Sequence, residues 1–268
     1  MLALTDTHCH LNFHAFDADR VSVLLNAQQA GVNRIVIPGT DLVTSQQALD
    51  LASSYKGFLF SGIGIHPNDC QLWKEDHGEQ LYNLAKHEGV VAIGEIGLDY
   101  YRMHNPVEIQ RKVLEQQLMV AGKAGLPVIL HNRQAAKDLL AILSSWIGDL
   151  RVKQSPLAQR PGVLHSYDDS VEEAQLAIEL GFRLGITGPI TFRNSRRKRE
   201  ILAELPLDVL LVETDAPFLT PEPYRGKRNE PAYIPFIINE LASVFKTTSD
   251  EIAEKTTHNA NVLFGWGD

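Results

Sequence analysis

Short apolar runs alternate with longer amphipathic stretches along the whole sequence. Leu2 to Thr7, Arg34 to Pro38, Phe58 to Ile65, Val90 to Leu98, Pro127 to Leu130, Val163 to His165, Arg183 to Thr187 and Val209 to Glu213 read as strands. Between them, Val21 to Ala30 reads as an amphipathic helix stopped by Gly31. Val107 to Ala121 reads as another, opened by Asn105 as cap with Pro106 in its first turn. A third, Val171 to Leu180, follows the cap candidates Asp168, Asp169 and Ser170 and ends at Gly181, and Ala232 to Phe245 follows the last strand. Eight strands in alternation with helices predict an α/β fold with a parallel sheet, closed as a TIM-like (β/α)8 barrel. The segment from Arg151 to Gly162 is loop-like and precedes a strand, which assigns it to the bottom of the barrel, away from chemistry.

Composition agrees with that architecture. The 268 residues are close to the roughly 250 of one such barrel, so a single domain over 1–268 is expected. With 44% hydrophobic residues the chain has material for a large core, and two cysteines, Cys9 and Cys70, give no disulfide framework. Neither an export signal nor a membrane span is visible, so the expected setting is the cytoplasm, with no membrane partner. The net charge of −8 argues against indiscriminate coating of polyanions, so a nucleic-acid substrate would need metals or a local basic patch.

The chemistry collects at strand ends. His8, His10, Glu95, His131, His165 and Asp215 each stand at or beyond the end of an apolar run, where a barrel displays catalytic groups. His8-Cys9-His10 on an extended segment points both imidazoles to one face and Cys9 to the helices. Glu95 interrupts an apolar strand, and a buried carboxylate costs several kcal/mol without a partner, for which a metal is suited. Singly, each has an ordinary structural reading as a satisfied core histidine or a turn carboxylate. Together, four imidazoles and two carboxylates exceed the needs of one tetrahedral ion, so two divalent metal ions are expected, Glu95 bridging them. Such a cluster supports hydrolysis of a phosphodiester or an amide. The imidazoles suit zinc or manganese, whereas phosphate chemistry often recruits magnesium.

Two basic segments stand after the seventh and eighth strands, the corner where barrels often bind phosphate. Arg193 and Arg196 to Arg199 form the first, read chiefly as a solvated face; Tyr224 to Asn229 forms the second, read as functional.

Several blocks in order resemble the TatD family of metal-dependent deoxyribonucleases, within the amidohydrolase-like barrels. They are Asp6-Thr7-His8-Cys9-His10-Leu11, Gly64-Ile65-His66-Pro67, Gly94-Glu95-Ile96-Gly97-Leu98-Asp99-Tyr100, Pro127-Val128-Ile129-Leu130-His131, Gly188-Pro189-Ile190-Thr191-Phe192, Glu213-Thr214-Asp215-Ala216-Pro217 and the longest, Pro223 to Pro231. The resemblance implies divalent ions held by His8, His10, Glu95, His131, His165 and Asp215, with Asp215 also accepting the proton of the attacking water. It further implies hydrolysis of DNA supported by magnesium, manganese or zinc, often as trimming of 3′ ends. The sequence departs from the family pattern at Asn132, Tyr167 and Asn68, none a ligand position.

The expectation is therefore a metal-dependent hydrolase with Asp215 and Glu95 as catalytic carboxylates. Its substrate would be single-stranded DNA, bound by His66, Arg225, Lys227 and Asn229. An amidohydrolase or phosphoesterase acting on a small anionic metabolite is the alternative, since fold and metals alone do not fix the scissile bond. A noncatalytic nucleic-acid-binding barrel is the third. Sequence does not fix the oligomeric state.

Overall fold

A computed structural model describes residues 3–266. The strands are β1 (Leu4–Asp6), β2 (Val32–Pro38), β3 (Leu59–Ile63), β4 (Val90–Asp99), β5 (Val128–Arg133), β6 (Gly162–Leu164), β7 (Arg183–Ile186) and β8 (Leu210–Val212). Each pairs in parallel with the next in chain order. Leu2, in the first expected strand, lies outside the described residues. The two ends of the sheet meet where Thr7 N–H donates to Val212 O (3.2 Å), Asp215 N–H donates to His8 O (2.8 Å), and Cys9 bridges Ala216 in parallel. A buried carboxylate reinforces this seam: Asp6 accepts the amides of His8 and Thr214 and the Thr214 hydroxyl. Eight parallel strands closed this way form the expected TIM-like barrel.

Nine α-helices lie among the described residues: α1 (Arg20–Gln29), α2 (Leu42–Ser54), α3 (His77–Leu84), α4 (Val107–Ala124), α5 (Ala136–Val152), α6 (Val171–Glu179), α7 (Arg196–Ala203), α8 (Ile234–Phe245) and α9 (Ser249–Phe264). Ser170 caps α6 through a reciprocal box with Glu173, as its position suggests. Asn105 does not cap α4. The residue flanking that helix is Pro106, and the Asn105 side chain instead accepts the Gln71 amide and donates to Pro67 O, tying two loops together in the core. The 151–162 segment opens with the last residues of α5 and then makes a short 3-10 turn, Pro156–Gln159. Its Arg160 donates to Leu263 O and Gly125 O, a brace between α9 and the end of α4.

Alternation sets the interior. Val36, Ile129, Val163 and Leu211 pack with the α9 residues Ala260, Leu263 and Phe264, while their strand neighbours Ile35, Ile37, Val128, Leu130, Leu164, Leu210 and Val212 pack with the surrounding helices. The last turns of α9, a helix that the sequence pattern leaves unassigned, thus pack against this inward layer. His131, His165 and Glu213 each stand two residues beyond one of these apolar positions, so they form the next layer up the same faces. Among the described residues no helix is long and apolar enough to cross a membrane.

Candidate metal centre

Glu95 owes its inward aim to a bulge. Register along β4 and β5 runs from Ile93 opposite Val128 to Ile96 opposite Leu130, so β4 carries one extra residue. Ile93 faces the helices, and beyond the bulge Ile96 and Leu98 do so too, which reverses parity and turns Glu95 and Asp99 away from them. Gly97 follows at φ +148, where a Cβ would overlap the His131 carbonyl.

The two oxygens of Glu95 serve different groups. Oε2 lies 3.4 Å from His8 Nε2 and 3.6 Å from His10 Nε2; Oε1 lies 2.9 Å from His131 Nδ1 and 3.6 Å from His66 Nε2. On the first side, His8 Nε2 and His10 Nε2 are 3.2 Å apart, and Asp215 Oδ1 is 3.7 and 3.5 Å from them. An ion bound tetrahedrally at about 2.0–2.1 Å holds its ligand atoms about 3.3–3.4 Å apart. The five separations cluster around that edge length, so these donors fit a small divalent cation without rearrangement. Burial, with the charge of His165 adding to it, pushes the His8 imidazole down, which keeps it in the neutral form that ligates metal.

Two further carboxylates, Asp99 and Glu213, orient imidazoles. Asp99, fully buried, approaches His131 Nε2 at 3.3 Å, which leaves Nδ1 facing Glu95. Glu213, also fully buried, lies 2.8 Å from His165 Nδ1, which leaves His165 Nε2 3.6 Å from Asp215 Oδ1. Such carboxylate–imidazole pairs fix ring orientation and tautomer at metal sites. Gly185 on β7 makes room for Glu213, since a Cβ there would overlap its carboxylate. The sequence reading assigned neither residue a role. The available signal was parity: Asp99 stands four residues after Glu95, and Glu213 two before Asp215, on the same strand faces.

All four carboxyls work against burial. For Glu95, burial opposes ionisation, but His66, His8 and the hydrogen bond to His131 outweigh it and hold the group well below the usual range. Asp215 is likewise lowered, burial being overcome by His165, His10 and His8. At His165, burial is outweighed by Glu213 and Asp215, raising the imidazole to about 10. Asp6, by contrast, is raised by burial to about 7.

His66 joins the cluster with a defined tautomer. Its Nδ1 accepts the Asn68 amide at 3.1 Å, so the proton of the neutral ring sits on Nε2, directed at Glu95 Oε1. Burial pushes this imidazole down, which favours that neutral form. His66 therefore presents an N–H rather than a lone pair toward that anionic oxygen, 3.6 Å away.

The structure thus brings His8, His10, Glu95, His131, His165 and Asp215 together with His66. It divides the basic segments. Arg225 and Lys227 are exposed, with Arg225 over the Phe192 ring at 4.1 Å and Lys227 over Tyr224 at 5.5 Å. Asn229 differs from expectation: it is fully buried, its amide donates to Thr214 O and Phe218 O, and its oxygen accepts the Glu230 amide, leaving nothing for a phosphate. It clamps the loop after β8. Arg228 is committed to Asp19, Glu230 and Ala15 O. In the other segment, Arg196 pairs with Glu200, Lys198 turns to Asp168, and Arg199 braces Ile190 O and Phe192 O. The departures from the family pattern have structural partners: Asn132 donates to Asp169, Tyr167 OH donates to Ser170 O, and the Asn68 amide serves His66.

Comparison with known proteins agrees with this geometry. The chain is 40% identical over 261 residues to YabD of Bacillus subtilis, named an uncharacterized metal-dependent hydrolase, covering 97% of this chain and 98% of that protein. It is 36% identical over 264 residues to the 3′-5′ ssDNA/RNA exonuclease TatD of Pectobacterium parmentieri, with the same coverage. The crystal structure of YjjV, a TatD homolog from Escherichia coli, aligns at a TM-score of 0.90 and 33% identity over 98% of both chains. Residues 5–265 match the family model of the TatD related DNases, and the chain belongs to that family.

Proposed function

We propose that this TatD-type metal-dependent hydrolase removes nucleotides from the 3′ end of single-stranded nucleic acid, with two divalent ions, magnesium, manganese or zinc, held by His8, His10, Glu95, His131, His165 and Asp215. The observation that carries the reading is Glu95, whose two oxygens are split between the His8–His10 pair and His131 as a bridging carboxylate requires. Bound there, the ions would supply an activated water and stabilise the charge developing on the phosphate.

The remaining chemistry belongs to the chain. Asp215 accepts the proton of the attacking water: it is ionised, and its side chain is 14% exposed where those of Glu95, Asp99 and Glu213 are at 5% or less. His66 donates from Nε2 to a phosphate oxygen. Arg225 and Lys227 track the strand electrostatically, contacts that position a backbone without reading its sequence. The relative in Pectobacterium parmentieri, an exonuclease on ssDNA and RNA by name, supports the substrate class. A cytoplasmic setting is part of the reading, supported by the two unpaired buried cysteines, Cys9 and Cys70.

The test is hydrolysis of end-labelled single-stranded DNA and RNA by metal-stripped protein resupplied with each ion, with Glu95→Ala alongside. We expect metal-dependent shortening from the 3′ end, abolished in the variant, which also loses bound metal while keeping its circular dichroism spectrum. Turnover by Glu95→Ala at the parent rate would refute the bridging role. No cleavage despite bound metal would redirect the substrate to a small ester or amide.

A further inference from the structure

An aromatic pair stands beside the cluster with no part in holding it. Phe218, three residues after Asp215, is 52% exposed, and Phe13 is half-buried. Phe13 stacks on the His10 imidazole with centroids 4.4 Å apart and planes 18° apart. Phe218 meets His10 (6.3 Å, 70°) and Phe13 (6.4 Å, 75°) with planes near perpendicular, so neither ring is stacked face to face on Phe218. Exposed Val21, Leu25 and Val43 lie on helix surfaces, where scattered apolar side chains are ordinary. Phe218 instead lies at the mouth beside a donor of the cluster.

Its backbone is fixed. The Phe218 amide donates to Asp215 O at 2.8 Å, and the Phe218 carbonyl accepts the Asn229 amide at 2.7 Å. Asn229 therefore couples the ring to the strand end that carries Asp215, through its second bond to Thr214 O. A large apolar face held rigidly in water next to a reacting centre is suited to a flat apolar ligand group, because little ordering remains to be done on binding.

We propose that Phe218, backed by Phe13, is a stacking platform for the nucleobase of the terminal nucleotide, seating that nucleotide's phosphodiester over the cluster. The proposal rests on the nuclease reading above. Every base has a π face, so the platform tolerates all four and adds no sequence preference. A base still paired in a duplex cannot splay onto the ring, so the same contact selects single-stranded or frayed ends. Phe218 is a positioning residue; it touches substrate without entering the bond-breaking step.

Two measurements separate this proposal from the reading it rests on. The first is binding of an oligonucleotide ending in 2-aminopurine to metal-stripped protein, where no turnover occurs. Parent protein and Phe218→Trp should quench the terminal fluorophore; Phe218→Ala and Phe218→Leu should not, and Leu keeps the volume should Ala fold poorly. The second is kcat/KM for base-terminated against abasic-terminated oligonucleotide. Parent protein should favour the base by about 5- to 150-fold, the span of one base–aromatic stack. Phe218→Leu should lose that preference, its kcat/KM on the base-terminated substrate falling to its value on the abasic one. Equal quenching in parent and Phe218→Leu, or an unchanged preference in the variant, overturns the platform even where cleavage is normal. Absence of all cleavage with terminal quenching intact sinks the nuclease reading and leaves the platform standing; absence of quenching in the parent sinks the platform outright.

Discussion

Replacing Glu213 by Gln tests whether a carboxylate outside the ligand set controls the centre. Glu213 is fully buried; its Oε1 accepts the Ser166 amide at 2.5 Å and lies 2.8 Å from His165 Nδ1, and its Oε2 accepts the Thr7 hydroxyl at 3.2 Å. Glutamine can keep its oxygen on Ser166 N–H and turn its NH₂ to the Thr7 hydroxyl, which accepts it and donates to Val212 O, but it carries no charge. The buried His165 ring then loses its charged partner, at about 1–3 kcal/mol, which in a chain of this size lowers the melting temperature by several degrees. The larger effect is on metal. Without the carboxylate, the His165 ring loses the partner that orients Nε2 toward Asp215, and such losses cost about 10- to 100-fold in metal affinity or activity. The assay is a competitive chelator titration of purified variant and parent, with thermal unfolding of the metal-free proteins in parallel. Metal affinity unchanged within about twofold, with the melting temperature lowered, would show that Glu213 serves the fold alone and would refute the positioning argument.

Three further outcomes follow from other parts of the molecule. Arg160→Ala should lower stability by about 1–2 kcal/mol, since it releases Leu263 O and Gly125 O, yet leave kcat/KM at the parent value; denaturant melts and turnover together check this. Burial pushes Asp169 up to about 6, with Glu173 adding to it and the Asn132 hydrogen bond opposing it. The folded state therefore keeps a proton that the unfolded chain has lost between about pH 4 and 6, so this contribution is full below pH 4 and lost as pH rises through 6. Asp169→Asn cannot ionise and should gain stability relative to the parent over that window, on the order of 1 kcal/mol after screening, in melts at pH 4 and 7.5. A constant difference across pH would contradict it. Arg225→Ala and Lys227→Ala should each flatten the salt dependence of single-strand binding by about 0.7 in slope, measured on metal-stripped protein; an unchanged slope removes that side chain from the strand's path.

The strand–helix alternation, the order of the strands and the family were legible in the sequence, because apolar periodicity and chain-order motifs are local properties. The residues that meet at the mouth stood out for a related reason: they lie in or just beyond apolar runs, and a parallel barrel collects all strand ends at one mouth. What the sequence could not supply is any property that depends on a neighbour. Counted along β4, Glu95 shares parity with the helix-facing Ile93, and only the extra residue in the pairing with β5 turns it inward. Asp99 and Glu213 read as two more carboxylates until the rings of His131 and His165 are seen against them. Asn229 looked like a phosphate contact because it closes a basic run; packing spends its amide on Thr214 and Phe218 instead. The same packing leaves Arg225 and Lys227 exposed at the surface, without the carboxylate partners that Arg228 has among the described residues, and Phe218 exposed at the mouth, a division that composition cannot make because it is set by which groups the folded chain has already satisfied.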